Sequence, residues 1–324
     1  MIKAYVAGGD RLRPVDDLLS NRDSVVWADL VNPTREEEQA IEEWSGVDVP
    51  TREEMEEIEI SSRLYAENGA YFMTATLPAH ADGDYPVMSP VSFVLAGKRL
   101  ITVRYHEPRA FQTFPMHAEK SDLNCSSGQT ILIALLEAIV DRLADLLERA
   151  SREVIDISHD IFHPTEKKAS KRDVTFQIIL RRIGRKEDLV SNIKDSLVTL
   201  QRLSGFLSHA TLESRSEKDV RARIKTLSRD VSSLSDHASF ITQKITFLLD
   251  ATLGMINIEQ NGIIKIVSVA ALVFLPPTLV ASIYGMNFEV MPEIKWAAGY
   301  PMALGLMVVS AVLPYWFFKR RGWL

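Results

Sequence analysis

Residues 263–284, IIKIVSVAALVFLPPTLVASIY, and residues 299–318, GYPMALGLMVVSAVLPYWFF, decide how this chain is built. The first carries no charge after Lys265, and the second carries none at all. Each approaches the ~20 residues that an α-helix needs to cross ~30 Å of hydrocarbon. A polar connection, residues 285–298, joins them. Two transmembrane helices, 263–284 and 299–318, are therefore expected, with a soluble body before them. Tyr284, Trp296, Tyr300, Tyr315, Trp316 and Trp323 lie near the span ends, as interfacial aromatic belts do.

Charge around the spans sets their direction. Lys265 precedes the bulk of the first, and Lys319, Arg320 and Arg321 follow the second in the basic tail 319–324. The connection holds Glu289, Glu293 and only Lys295. Positive residues at both outer ends place both termini in the cytoplasm and the hairpin in the plasma (inner) membrane. The beginning of the chain, Met1-Ile2-Lys3-Ala4-Tyr5, lacks the apolar run of a signal peptide, which fits a body that stays cytoplasmic. A net charge of −6 argues against a nucleic-acid partner. The lone Cys125 excludes an internal disulfide framework.

Moving back from the membrane, the residues from about 217 to 262 contain no proline, and their first glycine is Gly254. They flow without a break into the first span. One continuous helix of about 65 residues is expected, ~100 Å long at 1.5 Å per residue. Upstream, Leu135, Ile139, Leu143 and Leu146 share one stripe of a helix that opens near Ile131 and should break at His163-Pro164. Another helical run covers 170–208. Residues 126–262 thus form a set of long stalk helices.

Residues 1–125 read as an α/β domain. Val25–Val31 is a strand candidate, and 91–95 and 100–105 flank a hairpin turn at Gly97-Lys98. Thr34 with Glu37 and Thr51 with Glu54 have the spacing of capping boxes. The stretch Thr34–Glu59 holds eleven acidic and two basic residues; it forms solvated helix faces or concentrates cations.

The first span is not uniformly apolar. Asn261, Ile264, Ser268, Ala271, Leu275, Thr278 and Ser282 fall within ~100° of arc on one helix face. Small and hydroxyl residues on one face either let helices pack closely or line a wet path. Pro276-Pro277 removes the helical donors to the carbonyls of Leu272 and Val273, which kinks the helix or frees two carbonyls for other partners. Two helices cannot enclose a path, so a pore built from this face requires a cyclic homo-oligomer.

Tyr284-Gly285-Met286-Asn287-Phe288, then Met291-Pro292-Glu293 and the ending Phe318-Lys319-Arg320-Arg321-Gly322-Trp323-Leu324, resemble the CorA family of divalent-cation channels. Upstream, 257–261, 274–278 and Trp27–Pro33 extend the resemblance across most of the chain. It implies a funnel-shaped homopentamer in the lipid bilayer, with an α+β cytoplasmic domain, stalk helices and five first spans around the pore. It implies a selectivity filter at Gly285, Met286 and Asn287, with Thr278 and Asn261 as inner polar rings. It places Leu275 and Ile264 at apolar constrictions, and it makes Mg²⁺ both cargo and cytoplasmic regulator, with Co²⁺ and Ni²⁺ as further cargo and no organic cofactor. Arg229-Asp230-Val231 matches a stalk motif, making Asp230 and Asp236 the candidate regulatory acids.

Mg²⁺ releases its waters reluctantly, so a ring of neutral amides at Asn287 suits its hydrated form, with Glu289 and Glu293 concentrating cations outside. The alternatives are a Zn²⁺ transporter of the same superfamily, which Met286 disfavours, and a membrane-anchored scaffold that does not conduct. A metalloenzyme is a further class. His159 and His163 stand at i and i+4, but the glutamate of a His-Glu-x-x-His motif is missing and Pro164 follows, so that turn should fray. An enzyme is therefore not expected.

Overall fold

The computed structural model describes all residues except 10, 17, 19, 84–85, 121–124, 164–171, 214–217, 288–290, 293–295 and 322–324. Two compact units are present, Met1–Leu249 and Asp250–Leu324.

In the first unit, one sheet joins β1 (Ile2–Gly8), β2 (Arg11–Val15), β3 (Val25–Val31), β4 (Leu64–Glu67), β5 (Ala70–Ala79), β6 (Val87–Ala96) and β7 (Arg99–Arg104). The strand order is β2-β1-β3-β7-β6-β5-β4. All neighbours are antiparallel except β3 and β7, which run parallel with Trp27 opposite Leu100 and Val31 opposite Arg104. β3 matches the strand expected at 25–31, and the hairpin turns at Gly97-Lys98 as its spacing predicted. β1, β2, β4 and β5 carried no clear alternation and were not foreseen.

Period-2 alternation sends successive side chains to opposite faces of this sheet. On one face Ala28, Leu30, Ile101 and Val103 pack with Ile41 and Trp44 of α1 (Arg35–Ser45) and Met55 of α2 (Arg52–Glu56). Both helices start on the foreseen capping boxes, Thr34 with Glu37 and Thr51 with Glu54. Met55 is followed by the one-turn helix α3 (Ile60–Arg63), which leads into β4.

The other face meets α4 (Arg109–Lys120) and α5 (Gly128–Phe162). Phe111 and Phe114 of α4 lie 6.2 Å from Phe93 and 5.8 Å from Trp27, centroid to centroid. Between them is a buried polar network. Arg104 donates through Nε and Nη2 to the two oxygens of Asp29 at 3.1 and 2.9 Å. The Thr102 hydroxyl donates to Asp29 at 2.8 Å and accepts from the Trp27 indole N–H at 3.0 Å. Asp29 and Arg104 are each 1% exposed, so both charges depend on this pairing. The Tyr5 ring stacks on Trp27 at 4.5 Å, and burial, with the Asp29 charge beside it, pushes its hydroxyl up to about 12.

α5 begins hard against the hairpin. Gly128 N–H donates to Lys98 O at 2.7 Å, and a Cβ at Gly128 would lie 2.5 Å from the Arg99 and Leu100 backbone. Only glycine permits that approach. The stripe Leu135, Ile139, Leu143 and Leu146 is buried, as its period predicted. α6 (Arg172–Glu213) is fastened to β5 by Thr199, whose hydroxyl accepts from Thr76 N–H at 3.1 Å.

α7 (Lys218–Tyr284) is one helix of 67 residues, close to the length expected, and the proline pair does not interrupt it. The second unit contains its C-terminal part and α8 (Gly299–Arg320), and both helices are long and apolar enough to cross a membrane. At the end of α8, Lys319, Arg320 and Arg321 each reach back one turn over the rings of Tyr315, Trp316 and Phe317, at 5.9, 4.6 and 5.2 Å. Such pairs suit an interface where apolar and wet surroundings meet.

Asp29→Ala leaves the Arg104 guanidinium buried and unpaired and is expected to cost ~3–5 kcal/mol, whereas replacing both partners with apolar residues of similar volume costs far less. Urea and thermal denaturation of the two variants check this; equal losses would contradict it.

Candidate functional site

The seven residues of the polar arc, Asn261, Ile264, Ser268, Ala271, Leu275, Thr278 and Ser282, are all exposed on α7. The shielded residues of the same stretch form a different stripe: Gly262, Val269, Val273, Pro276, Pro277, Val280 and Tyr284 are buried or half-buried. At 100° per residue the centres of the two arcs lie ~160–200° apart. The arc carrying Asn261, Ser268, Thr278 and Ser282 lies within the broader surface that one chain leaves uncovered, which also carries Val267 and Phe274, 62% and 71% exposed. Ile264 and Leu275, 60% and 65% exposed, put large aliphatic side chains on the same face.

Thr278 answers part of the problem set by the prolines. Its hydroxyl donates to the Phe274 carbonyl at 2.7 Å, adding a side-chain bond beside the carbonyls that lost helical donors. The hydroxyl oxygen keeps its lone pairs for a donor such as water.

The helix closes with Gly285 N–H donating to Ala281 O at 2.9 Å and Met286 N–H to Ile283 O at 3.3 Å. The glycine is not explained by a left-handed turn, since its φ is not positive. A Cβ there would lie 3.1 Å from the Ala281 carbonyl, a tight but local approach. Asn287 follows with an exposed side chain, and among the described residues its carboxamide makes no hydrogen bond to the helix end. Glu289 and Glu293 lie outside the described residues.

Asp230 and Asp236 are both exposed on α7, and the Asp230 charge reaches Asp141 of α5. Burial first, then Glu137, Asp145 and Asp230, push the Asp141 carboxyl above the ordinary carboxylate range. Glu137 is itself neutralised by Arg223 of α7, whose Nε and Nη2 donate to it at 3.0 and 2.6 Å. Among the described residues no three His, Cys, Asp or Glu side chains of one chain form a metal cage. Asp141 and Asp145 were missed because their i, i+4 spacing on an amphipathic helix reads as an ordinary solvated face.

A second charged cluster was also not foreseen. Asp82, just after β5, accepts from Arg109, Arg142 and Arg149 at 2.8, 2.7 and 2.6 Å. Burial raises its carboxyl, but the three guanidinium hydrogen bonds outweigh that and hold it far below the usual range.

The family model described as "CorA-like Mg2+ transporter protein" matches residues 22–320. The magnesium transport protein CorA of Haemophilus influenzae is 34% identical over 324 residues, covering 100% of each chain. That of Pasteurella multocida is 35% identical over 325 residues, again covering 100% of both. The complete structure of the CorA magnesium transporter from Methanocaldococcus jannaschii superposes with a TM-score of 0.79 at 20% identity, covering 100% of this chain and 99% of that one.

A carboxyl with a raised folded value binds its proton more readily folded than unfolded, so its ionisation weakens the fold. That cost is absent below the unfolded value of ~3.9 and grows as pH rises through the raised one. Asp141→Asn is thus expected to raise the thermal midpoint at neutral pH by about 1–3 °C and to change nothing near pH 3. Thermal melts at the two pH values measure it.

Proposed function

The chain belongs to the CorA-like Mg²⁺ transporter family, and from that premise we propose that five copies assemble into one Mg²⁺ channel across the plasma (inner) membrane. Members of this family are transporters, not enzymes, and the relatives support Mg²⁺ transport as the activity of this chain. Both termini are cytoplasmic. Residues 1–125 and 126–262 form the cytoplasmic domain and stalk, 263–284 the pore helix, 285–298 the outer connection, 299–318 the outer span and 319–324 the basic tail.

The observation that carries this reading is the uncovered polar face of α7, opposite its shielded stripe. A lipid-facing helix has no use for Asn261, Ser268 and Ser282 on its exposed side. Five such faces around an axis give alternating polar rings and aliphatic constrictions at Ile264, Ala271 and Leu275. Hydrated Mg²⁺ exchanges hydrogen bonds with the polar rings while keeping its inner waters. The aliphatic rings resist wetting and supply the gate.

At the outer mouth Gly285, Met286 and Asn287 form the filter. Five carboxamides present oxygens to the water shell without the charge that would trap the ion. Glu289 and Glu293 raise the local cation concentration there. The filter reads a water shell rather than a bare ion, so Co²⁺ and Ni²⁺, whose hydrated forms are alike in size and charge, are further cargo.

Regulation uses the stalk. Asp230, with Asp236 as the second candidate, meets a neighbouring subunit's acids, and cytoplasmic Mg²⁺ relieves the repulsion between them. Binding favours the closed arrangement by its differential affinity for it.

Asn287→Ala is expected to reduce Mg²⁺ flux into liposomes at least ~10-fold per assembled oligomer, with assembly retained. Flux and native mass on the same sample test this, and near-normal flux refutes the filter role. The double change Asp230→Asn, Asp236→Asn should abolish the protection from protease that millimolar Mg²⁺ confers on the full-length protein. Unchanged protection means that other acids hold the regulatory ion.

A further inference from the structure

His159 and His163, at the C-terminal end of α5, play no part in the transport reading. The expected fraying before Pro164 does not occur. His163 N–H donates to His159 O at 2.8 Å, so the helix stays closed up to its cap. Three contacts hold this last turn in place. Ile161 is buried at 2% exposure, Phe162 stacks on Phe247 of α7 at 6.1 Å, and Asp160 accepts from Arg182 of α6 at 2.5 Å.

Both histidines are exposed, and among the described residues neither ring nitrogen is committed to a hydrogen bond. Their ring centroids lie 5.0 Å apart with planes tilted by 41°. A metal ~2.0–2.1 Å from an imidazole nitrogen lies ~3.2 Å from that ring's centre, so two imidazoles on one ion have centres ~4.5 Å apart at a right angle and ~5.2 Å apart at the tetrahedral angle. The observed separation of the ring centres falls between these values.

We infer that His159 and His163 form a binding site for a late first-row divalent cation, Co²⁺, Ni²⁺ or Zn²⁺, separate from every position that handles Mg²⁺. Imidazole nitrogen suits these ions, whereas Mg²⁺ demands oxygen ligands and near-ideal octahedral geometry. The protein supplies two ligands and water completes the sphere, consistent with the lack of a third convergent ligand among the described residues. Such a site exchanges its ion readily and reports the level of free transition metal rather than storing it. It sits on a turn whose Phe162 stacks against Phe247 of α7.

The test uses the full-length protein freed of any affinity tag, in excess Mg²⁺ so that oxygen sites are filled. Calorimetric titration with Ni²⁺ should give one ion per chain. His159→Ala and His163→Ala should each weaken binding at least ~10-fold, with the thermal midpoint of the metal-free protein unchanged because both rings are exposed. In the unaltered protein, Co²⁺ should show the visible absorption of nitrogen rather than all-oxygen ligation, a readout that needs no variant. Absence of Ni²⁺ binding under excess Mg²⁺, an all-oxygen Co²⁺ spectrum, or unchanged affinity in the double alanine variant each overturns the assignment.

Discussion

Inside hydrocarbon no water is available to pair with a backbone amide or carbonyl, so a segment that crosses must satisfy these groups itself. Much else in this protein follows from how α7 meets that demand. It stays helical from Lys218 to Tyr284 through two consecutive prolines, with the Thr278 hydroxyl bonded to the Phe274 carbonyl beside the weakened ladder. An unbroken helix keeps one angular register along its length. That register holds Asn261, Ser268, Thr278 and Ser282 on the same side over six turns. A hinge at the prolines would have turned the upper half of the face away from the lower.

The soluble unit answers a different constraint. Its sheet is covered on both faces, so any charge placed within it must find its partner there. Asp29 and Arg104 come from β3 and β7, which among the described residues are the one pair of neighbouring strands that run in the same direction. Thr102, Trp27 and Tyr5 complete the network, and Arg104 also lies 4.9 Å over Phe111 of α4. The pair thus ties the sheet to the helical layer that leads into α5. Asp82 makes a comparable tie at the surface, where three arginines from α4 and α5 converge on the end of β5.

The parts of the fold legible from sequence were those with a strong local signal. The spans needed only apolar length, α7 only the absence of breakers, and α1 and α2 only their capping boxes. β5 was illegible because it is buried on both faces, and continuous burial erases the alternation by which a strand is recognised. The candidate pathway was readable as a set of angles on α7.

Sequence by itself determined the membrane-spanning segments, the continuity of α7, the spacing of its polar face and the likeness to a transporter family. These are properties of one chain read along its own axis, where 3.6 residues per turn convert position into angle. Tertiary structure alone decided which of the two arcs on α7 is shielded. It alone brought Asp230 near Asp141 and buried Asp29 against Arg104. Each of these depends on the packing of elements far apart in sequence, and none is encoded in any single window of residues.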